Sequence, residues 1–442
     1  MERTIIQVEE KVPFLQGLPL SFQHLFAMFG ASVLVPFLFN QAARNASGNP
    51  ELVIIDPSLV LLMNGIGTLL YLFICKGKAP AFLGSSFAFI APATAVILSS
   101  PDYVGNFSKA LGGFMVSGLI FMIVASIIGM AGTKWIDVVL PPAAMGPVVA
   151  LIGLELSETA TQMAGFFPDK NGSYNMEAIA ISIFTLAVVI LGSLLFKGFL
   201  SVIPVLIAVL SGYGLSVILN IYHPGIINYS VISEKNWLVI PRMILPSFHV
   251  NAILIIIPAA LVVMSEHIGH LFVTGNIVGR NLIKDPGLHR SLFSDGISTT
   301  LSGLAGSVPT TTYGENMGVM AITGVYSVWV IGGAALISII MAFFGKLSGV
   351  ISSIPIPVMG GVSIVLFGVI AASGIRMLVE ARVDYSKSRN LILTAVVFVS
   401  GISGVTIKLG QVGLSGMALA TVVGIILSLI FYGLDKLKLT ND

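Results

Sequence analysis

Two glutamates lie in apolar stretches of this chain, where a carboxylate needs a specific reason to be present. Glu315 belongs to the polar run Tyr313-Gly314-Glu315-Asn316-Met317-Gly318, and Glu266 lies in an apolar segment that begins near residue 250. A charged side chain at the centre of a bilayer costs about 3 kcal/mol even on lenient insertion scales. The two acids therefore indicate a polar path through a membrane along which protons can be handled.

The composition indicates that this chain folds in lipid. Hydrophobic residues make up 56% of the 442 residues, charged residues make up 10%, and the mean hydropathy is +0.99, whereas a soluble domain carries about 25% charged residues. The net charge of +2 gives no argument for a nucleic-acid partner. The single Cys75 excludes an internal disulfide and a cysteine-based metal site. The polar stretch 1–16 lacks the order of a cleaved signal, so we expect the first span to direct insertion.

Apolar runs separated by turn residues and charges predict fourteen membrane segments. With the N-terminus in the cytoplasm, most of the 22 lysines and arginines fall on the cytoplasmic side. We therefore expect a multi-pass protein of the cell inner (plasma) membrane with both termini in the cytoplasm. The predicted segments are 18–40, 57–75, 82–99, 110–131, 142–160, 177–196, 199–221, 250–275, 291–306, 309–323, 325–344, 350–374, 390–407 and 413–433.

The two halves of the chain share a proline and glycine pattern. The pattern Pro-x3-Gly-x6-Gly occurs at 142–153 in the fifth segment and again at 357–368 in the twelfth. Because seven segments per half is an odd number, a repeated fold must be inverted in the membrane. The predicted fold class is an all-α polytopic membrane protein with fourteen segments in two inverted repeats of seven.

Segments three and ten are poor candidates for continuous helices. Pro309 and the threonines after it disfavour a helix, and the third segment opens with Gly84-Ser85-Ser86-Phe87-Ala88-Phe89 before a short apolar helix. Interrupted segments at corresponding places in two halves point to a transporter's binding site. We expect each segment to be part strand and part half-helix, with the strands pairing near the midplane. The half-helices would present N-terminal N–H groups to a ligand.

The eighth segment contains Glu266-His267-Ile268-Gly269-His270. Glu266 and His270 are four residues apart and share a helix face, whereas His267 points about 100° away. We predict that Glu266 is a substrate or proton ligand and that His270 is its relay. A buried polar cluster that only joins helices is the alternative. The metalloprotease pattern has two histidines four apart with Glu after the first, so we expect no metal and no cofactor here.

Glu315 follows Gly314 at the predicted start of the second half-helix, where the helix dipole favours a carboxylate. Two glycines and Tyr313 beside it favour close approach of a flat ligand, while a purely capping acid is the alternative. For Gln23 and His24 in the first segment, structural hydrogen bonding explains the residues at least as well as transport chemistry does.

The run from Glu315 to Gly324 resembles the signature of the nucleobase–ascorbate transporter family. That signature is Gln, Glu or Pro, then Asn, any residue, Gly, four residues, Thr, and Arg, Lys or Gly. Gln23–His24 resembles the family's motif in its first span. The stretches 23–30, 84–89, 266–270 and 311–316 are similar to its uracil-carrying bacterial members, and the resemblance runs from about residue 10 to 433.

The resemblance implies a core domain of segments 1–4 and 8–11, over residues 1–135 and 223–346. It implies a gate domain of segments 5–7 and 12–14, over residues 136–222 and 347–442. It also implies proton-coupled uptake of uracil, by alternating access, in a homodimer formed through gate domains. The residues that it assigns to the substrate are Glu266, Glu315, Phe87, Gly314, Tyr313 and Ser86; those for the proton are Glu266 and His270; those in support are Asn316 and His24.

Uracil suits such a site because it is flat and neutral, with two N–H donors and two carbonyl acceptors. Carboxylates accept from the N–H groups, and main-chain N–H groups donate to the carbonyls. A carrier of xanthine or another purine stays open as an alternative. An anion exchanger or channel would place its anion beside two acids, an intramembrane enzyme lacks its motif, and no P-loop for ATP is present.

Overall fold

The computed structural model describes residues 5–168, 172–409 and 412–440. Those parts of the predicted domains that fall on 1–4, 169–171, 410–411 and 441–442 lie outside the described residues. The helices are α1 Phe14–Ser47, α2 Pro57–Ile74, α3 Ile90–Ile97, α4 Tyr103–Ala131, α5 Ile136–Val139, α6 Pro142–Glu155, α7 Ser157–Met163, α8 Met176–Leu195, α9 Pro204–Tyr222, α10 Ser230–Ser233, α11 Val250–Val278, α12 Leu288–Ala305, α13 Gly314–Thr323, α14 Val328–Ala342, α15 Gly345–Ser352, α16 Ile356–Glu380, α17 Ser388–Ile402 and α18 Gly416–Lys436. The strands are β1 Leu83–Ser85, β2 Thr310–Thr312, β3 Ile407–Leu409 and β4 Val412–Leu414.

Long apolar helices dominate the described part of the chain. Nine helical spans there are long and apolar enough to cross a membrane, with α6 and α7 counted as one span. Shorter apolar helices occur at Phe87–Ile97, Val328–Ala342 and Ser388–Ile402. The prediction of an all-α, multi-pass membrane protein is confirmed at this level.

The ends of several helices differ from the predicted segments. The first segment was predicted at 18–40, but α1 continues to Ser47 and ends where Gly48 adopts a left-handed conformation, with its N–H donating to Arg44 O. The predicted segment 350–374 is divided, because α15 ends at Ser352 and α16 starts only at Ile356. Pro355 lies between these two helices, and a proline fits at the start of a helix but breaks its interior.

The helices pack in two groups. In the first group α12 packs on α4 and α2, α14 packs on α1 and α2, and α11 packs on α4. In the second group α16 packs on α6, α7, α8 and α9, and α17 packs on α6 and α18. Contacts of α11 with α6 and α18, and of α1 with α9, join the groups. Relative movement of the two groups would therefore involve only a few helix pairs.

A short antiparallel ribbon of β1 and β2 lies inside the first group. Leu83 pairs with Thr312 and Ser85 with Thr310, and all three residues of each strand are buried. β1 is followed by a single 3-10 turn and α3, and β2 is followed by α13. Because the strands are antiparallel, α3 and α13 start at opposite ends of the ribbon. We call these the α3 end, at Ser86, and the α13 end, at Gly314.

Gly84 of β1 allows the ribbon to pack against an aromatic ring. A Cβ atom at this position would overlap the Tyr313 ring carbons. The Tyr313 hydroxyl cannot move away easily, because it donates to Ser85 O at 2.8 Å and lies 3.3 Å from the Ser32 hydroxyl. Glycine at position 84 is therefore required by this close approach.

The N-terminal strap, residues 5–11, lies across the residues that follow α13. Ile6 N donates to Gly324 O at 3.0 Å, and the Glu9 carboxylate accepts two hydrogen bonds from the Arg280 guanidinium just after α11. Val8 is fully buried. The strap thus connects the ends of α11 and α13, the two helices that carry Glu266 and Glu315.

Candidate functional site

A cavity of about 580 Å³ lies between the two helix groups. Its inner end is formed by Glu266 and His270, midway along α11, and by Gly314 at the start of α13. From there it extends to the C-terminal ends of α11 and α16 and the N-terminal end of α6, where Arg376 and Glu380 are part of its wall. The cavity is thus a passage from one face of the molecule to its middle.

The cavity combines an apolar wall with a few polar groups. Met145 and Val149 of α6 and Met377 of α16 supply apolar surface from the second helix group. Ser265 and Glu266 of α11 contribute polar atoms from the first group. Small-molecule sites commonly have this composition, in which apolar surface binds a flat ligand and a few polar groups fix its orientation.

His270 is held in one orientation by the end of the ribbon. Its Nδ1 lies 2.8 Å from Thr312 O and 3.1 Å from Thr312 Oγ1. Because a carbonyl oxygen can only accept, Nδ1 carries the hydrogen and Nε2 is left for another partner. Gly314 is the neighbour of this free nitrogen, since a Cβ atom built on it would lie 3.8 Å from His270 Nε2. The free nitrogen therefore faces the start of α13.

The first turn of α13 presents main-chain donors at the same place. Its N-cap residue, Tyr313, makes no side-chain capping bond, and the first N–H groups of an α-helix have no partner within the helix. Gly314, Met317 and Gly318 line the cavity. Glu315 is half-buried in this first turn, but it does not line the cavity itself. The α13 end thus offers N–H donors opposite Glu266.

Asn316 and His24 bind each other instead of facing the cavity. Asn316 Nδ2 donates to His24 O at 2.9 Å and lies 3.1 Å from His24 Nδ1. Both side chains are almost completely buried. The contact joins α13 to α1, so in this structure the two residues position the half-helix that carries Glu315.

The α3 end of the ribbon is closed. Ser86 and Phe87 at this end are buried and do not line the cavity, and neither does the buried Tyr313, the N-cap of α13. The Phe87 ring contacts Phe367 of α16 edge-on, with ring centroids 6.0 Å apart and an interplanar angle of 80°. Phe87 and Phe367 therefore form a contact between the two helix groups, and neither of them lines the cavity.

A third acid was missed by the sequence analysis. Asp295 of α12 is fully buried, and its Oδ2 lies 3.1 Å from Nδ1 of the equally buried His267. Asp295 lies inside the predicted segment 291–306, so the cost of a charge in lipid marks it as it marks Glu266. Its neighbours Ser294, Ser298 and Thr299 make that segment polar, so a single acid does not stand out in it. Over the ranges that the structure describes, no group of three or more His, Cys, Asp or Glu residues could hold a metal ion.

The fold and the cavity define a class of protein. A helical membrane protein with a polar site at its middle, a half-helix that starts at that site, and a passage to one face has the construction of a secondary transporter. The murine Slc26a9 anion transporter, solved in an inward-facing state, aligns with a TM-score of 0.67 over 97% of this chain and 69% of that chain. At 12% identity this likeness shows the fold alone.

Sequence comparison identifies the family. A model described as the permease family matches residues 15–410. A uracil permease of Paenibacillus larvae is 52% identical over 100% of both chains. A uracil permease of Escherichia coli K12 is 56% identical over 99% of this chain and 96% of its own length. The chain belongs to this permease family, the nucleobase–ascorbate transporters, and it is a transporter and not an enzyme.

Proposed function

We propose that this protein carries uracil into the cell together with a proton, by alternating access. The observation that carries the proposal is the convergence of Glu266, His270 Nε2 and the start of α13 on one cavity. The relatives that are 52% and 56% identical along their whole length bear the name uracil permease. The cavity offers both hydrogen-bond donors and acceptors, as binding of a base such as uracil requires.

The groups at the cavity match the edges of uracil. Glu266 would accept from a ring N–H, and the N–H groups of Gly314 and the residues after it would donate to a carbonyl. Glu315 would accept from the second N–H after a small rearrangement of its side chain. A charge-assisted hydrogen bond contributes roughly 1.5–3 kcal/mol, so two of them with apolar contact could reach micromolar binding, about 8 kcal/mol.

The closed α3 end would contribute to uracil binding after a change of conformation. Phe87 would offer a main-chain group to the base, with Ser86 beside it and Tyr313 packing behind the ribbon. In support, Ser86 has a buried hydroxyl without a hydrogen-bond partner among the described residues. Tyr313 already fixes the ribbon through Ser85 O. Asn316 and His24 would keep α13 in position.

Proton coupling follows from the two forms of Glu266. A protonated glutamate can donate to a uracil carbonyl while accepting elsewhere, whereas the ionised form can only accept. Binding of the proton and binding of uracil would therefore favour each other, which is the linkage that a symporter needs. His270, with Nδ1 held by Thr312 O, has Nε2 free to pass a proton through water.

The packing supports a core and a gate that move against each other. We propose that the first helix group belongs to the core (1–135 and 223–346) and the second to the gate (136–222 and 347–442). We propose that these derive from two inverted repeats of seven segments, with the motifs 142–153 and 357–368 on α6 and α16. In support, α6 and α16 pack closely through glycines: a Cβ atom on Gly374 would overlap the backbone of Ala150.

The orientation of the cavity supports an inward-facing state. The cavity extends to the ends of α6, α11 and α16, where the chain carries Arg376, Arg280 and other basic residues. By the distribution of positive charge this face is cytoplasmic, as are both termini. We further propose that the protein lies in the inner (plasma) membrane as a homodimer that meets through the gate. Exposed apolar side chains such as Leu194 of α8 and Ile221 of α9 supply surface for lipid and for a second copy.

An anion carrier is the alternative that the sequence left open, and murine Slc26a9, one of the solved structures with this fold, is an anion transporter. Its site would have to bind a negative charge beside Glu266 and Glu315, which costs free energy unless both acids are protonated. A purine such as xanthine is larger than uracil but has similar edges, so competition decides between these two substrates.

Uptake into proteoliposomes tests the proposal. Labelled uracil should accumulate when an inward proton gradient is imposed and should only equilibrate without one. Unlabelled xanthine and an inorganic anion such as sulfate are the competitors. Accumulation that is equal with and without the proton gradient would disprove coupling. Stronger competition by unlabelled xanthine than by unlabelled uracil would reassign the substrate.

A further inference from the structure

Four buried side chains form a polar chain behind the cavity. Tyr71 of α2, Ser291 and Asp295 of α12, and His267 of α11 are all at most 1% exposed, and none of them lines the cavity. The Tyr71 hydroxyl lies 2.8 Å from Ser291 Oγ, Ser291 Oγ lies 2.6 Å from His267 Nε2, and His267 Nδ1 lies 3.1 Å from Asp295 Oδ2.

The chain can be satisfied in two directions. With a neutral imidazole, Tyr71 donates to Ser291, Ser291 donates to His267 Nε2, and Nδ1–H points to Asp295. With a second proton on the ring, Nε2–H donates to Ser291, which then donates to Tyr71. Only the hydroxyl hydrogens turn between the two arrangements. The heavy atoms are thus equally suited to both protonation states.

The charge of the pair favours an additional proton. Neither carboxylate oxygen of Asp295 has a well-aligned hydrogen bond from any residue that the structure describes. An ionised aspartate beside a neutral histidine would leave a buried net negative charge with one poorly aligned donor, which is costly in low dielectric. One more proton, shared by His267 and Asp295, makes the pair neutral overall.

The groups that face the pair provide no other compensating cation. On α11 the neighbouring residue is Glu266, itself an acid, and His270 lies one turn further on. On α2 the facing groups are Tyr71 and Cys75. On α12 Arg290 lies in the first turn, before Ser291, and the titratable residues of α4, Tyr103 and Lys109, lie near the start of that helix. The proton is therefore the simplest compensating charge.

We propose that the His267–Asp295 pair is a second proton-binding site of the core domain, which shares with Glu266 the proton that is taken up when uracil binds. This inference rests on the proposed proton coupling. Glu266 and His267 are consecutive residues of α11, so the charge on one site changes the free energy of protonating the other. A substitution that removes the negative charge of Asp295 would leave Glu266 as the only acid that takes up the proton.

Calorimetry of uracil binding to the purified full-length protein tests the proposal. Titrations in two buffers with different ionisation enthalpies give the number of protons taken up per uracil bound. We expect uptake by the wild type, about half of that uptake for Glu266→Gln and for Asp295→Asn alone, and none for the double variant. Glu155→Gln, an acid of the gate that accepts from Met417 N, is the control and should match the wild type.

Two outcomes separate the proposal from the function on which it rests. If the wild type takes up no proton with uracil, proton coupling itself fails. If Glu266→Gln alone removes the whole uptake, only the second site fails. A variant Asp295→Asn that melts earlier but takes up as many protons as the wild type would show that the pair is merely structural.

A second measurement is made if the Asp295→Asn variant binds no uracil, because calorimetry then gives no signal. Infrared difference spectra of uracil-free protein across a pH step report carboxyl groups that gain or lose a proton. We expect Asp295→Asn to remove part of this signal and Asp295→Glu to restore it. An unchanged difference spectrum would overturn the proposal.

Discussion

The two ends of the β1–β2 ribbon share a local construction and differ in their surroundings. At both ends a three-residue strand leads into a short helix whose first N–H groups have no partner within the helix. At the α13 end Gly314 faces the cavity, whereas at the α3 end Phe87 is buried against Phe367. The half-helix alone therefore does not determine access to the site. Access depends on whether a helix of the second group, here α16 through Phe367, packs against that end.

The two ends also differ in how they are fixed. The α13 end is held by the hydrogen bond of Asn316 to His24 O on α1 and by the contact of His270 on α11 with Thr312 O. The N-terminal strap binds the opposite end of α13, at Gly324 O. The α3 end follows a strand whose Gly84 packs on Tyr313. The start of α13 is thus fixed by polar contacts to α1 and α11, whereas the strand before α3 is fixed by close packing on an aromatic ring.

The largest expected effect is at the α13 end. We expect Glu315→Ala to weaken uracil binding by at least about 100-fold, because a ring N–H is left without its acceptor in a half-buried site. Equilibrium binding of labelled uracil to the purified variant measures this. Glu158→Ala, on the exposed surface of α7, is the control and should bind normally. Near wild-type affinity of Glu315→Ala would rule out a ligand role for this residue.

Gly84→Ala should destabilise the ribbon itself. The added Cβ overlaps the Tyr313 ring, and overpacking of a buried site costs about 1–3 kcal/mol. The melting temperature of the purified protein should fall accordingly. In Gly433→Ala the new methyl group meets nothing within 4 Å, so this control should be unchanged or slightly more stable. Equal melting of the two variants would contradict the close packing at Gly84.

Phe367→Ala should open the α3 end. Loss of the edge-on contact with Phe87 removes roughly 0.5–1.5 kcal/mol, so the population that is open at the α13 end should fall by roughly two- to tenfold. Labelling of Gly318→Cys by a membrane-impermeant thiol reagent, in a Cys75→Ser background, reports that opening. Ile375→Ala, exposed on the same helix, is the control. An unchanged labelling rate would show that Phe367 does not hold this state.

The smallest effect concerns the strap. The Arg280 guanidinium holds the pKa of Glu9 below its usual range. Because the pKa is lowered in the folded state, the pair stabilises the fold above the ordinary glutamate pKa, and the contribution is lost as pH falls through the folded value. Both side chains are partly solvent-exposed, so we expect only a few tenths of a kcal/mol. Glu9→Gln should lower the melting temperature slightly at neutral pH, and the difference from wild type should vanish in acid or high salt.

Part of the site could be found from the sequence because buried charge is rare in lipid. Glu266 and His270 stood out by residue type and spacing, and the structure places both at the cavity. Asp295 has the same property and was overlooked because serines and threonines surround it. His267 was placed correctly away from the Glu266 face, but its partner lies 28 positions later on another helix, which no local pattern reveals.

The sequence alone determined that this chain is an α-helical membrane transporter of the nucleobase–ascorbate family. Its apolar composition requires a lipid environment, and the motif around Glu315 is specific to the family. Proline and β-branched residues also favoured extended backbone near 309–312. Only the tertiary structure decided that Ser85 pairs with Thr310, that Phe367 covers one end of the ribbon, and that Asp295 meets His267. These contacts join residues far apart in the chain, so they depend on how whole helices pack and not on the local preferences of either partner.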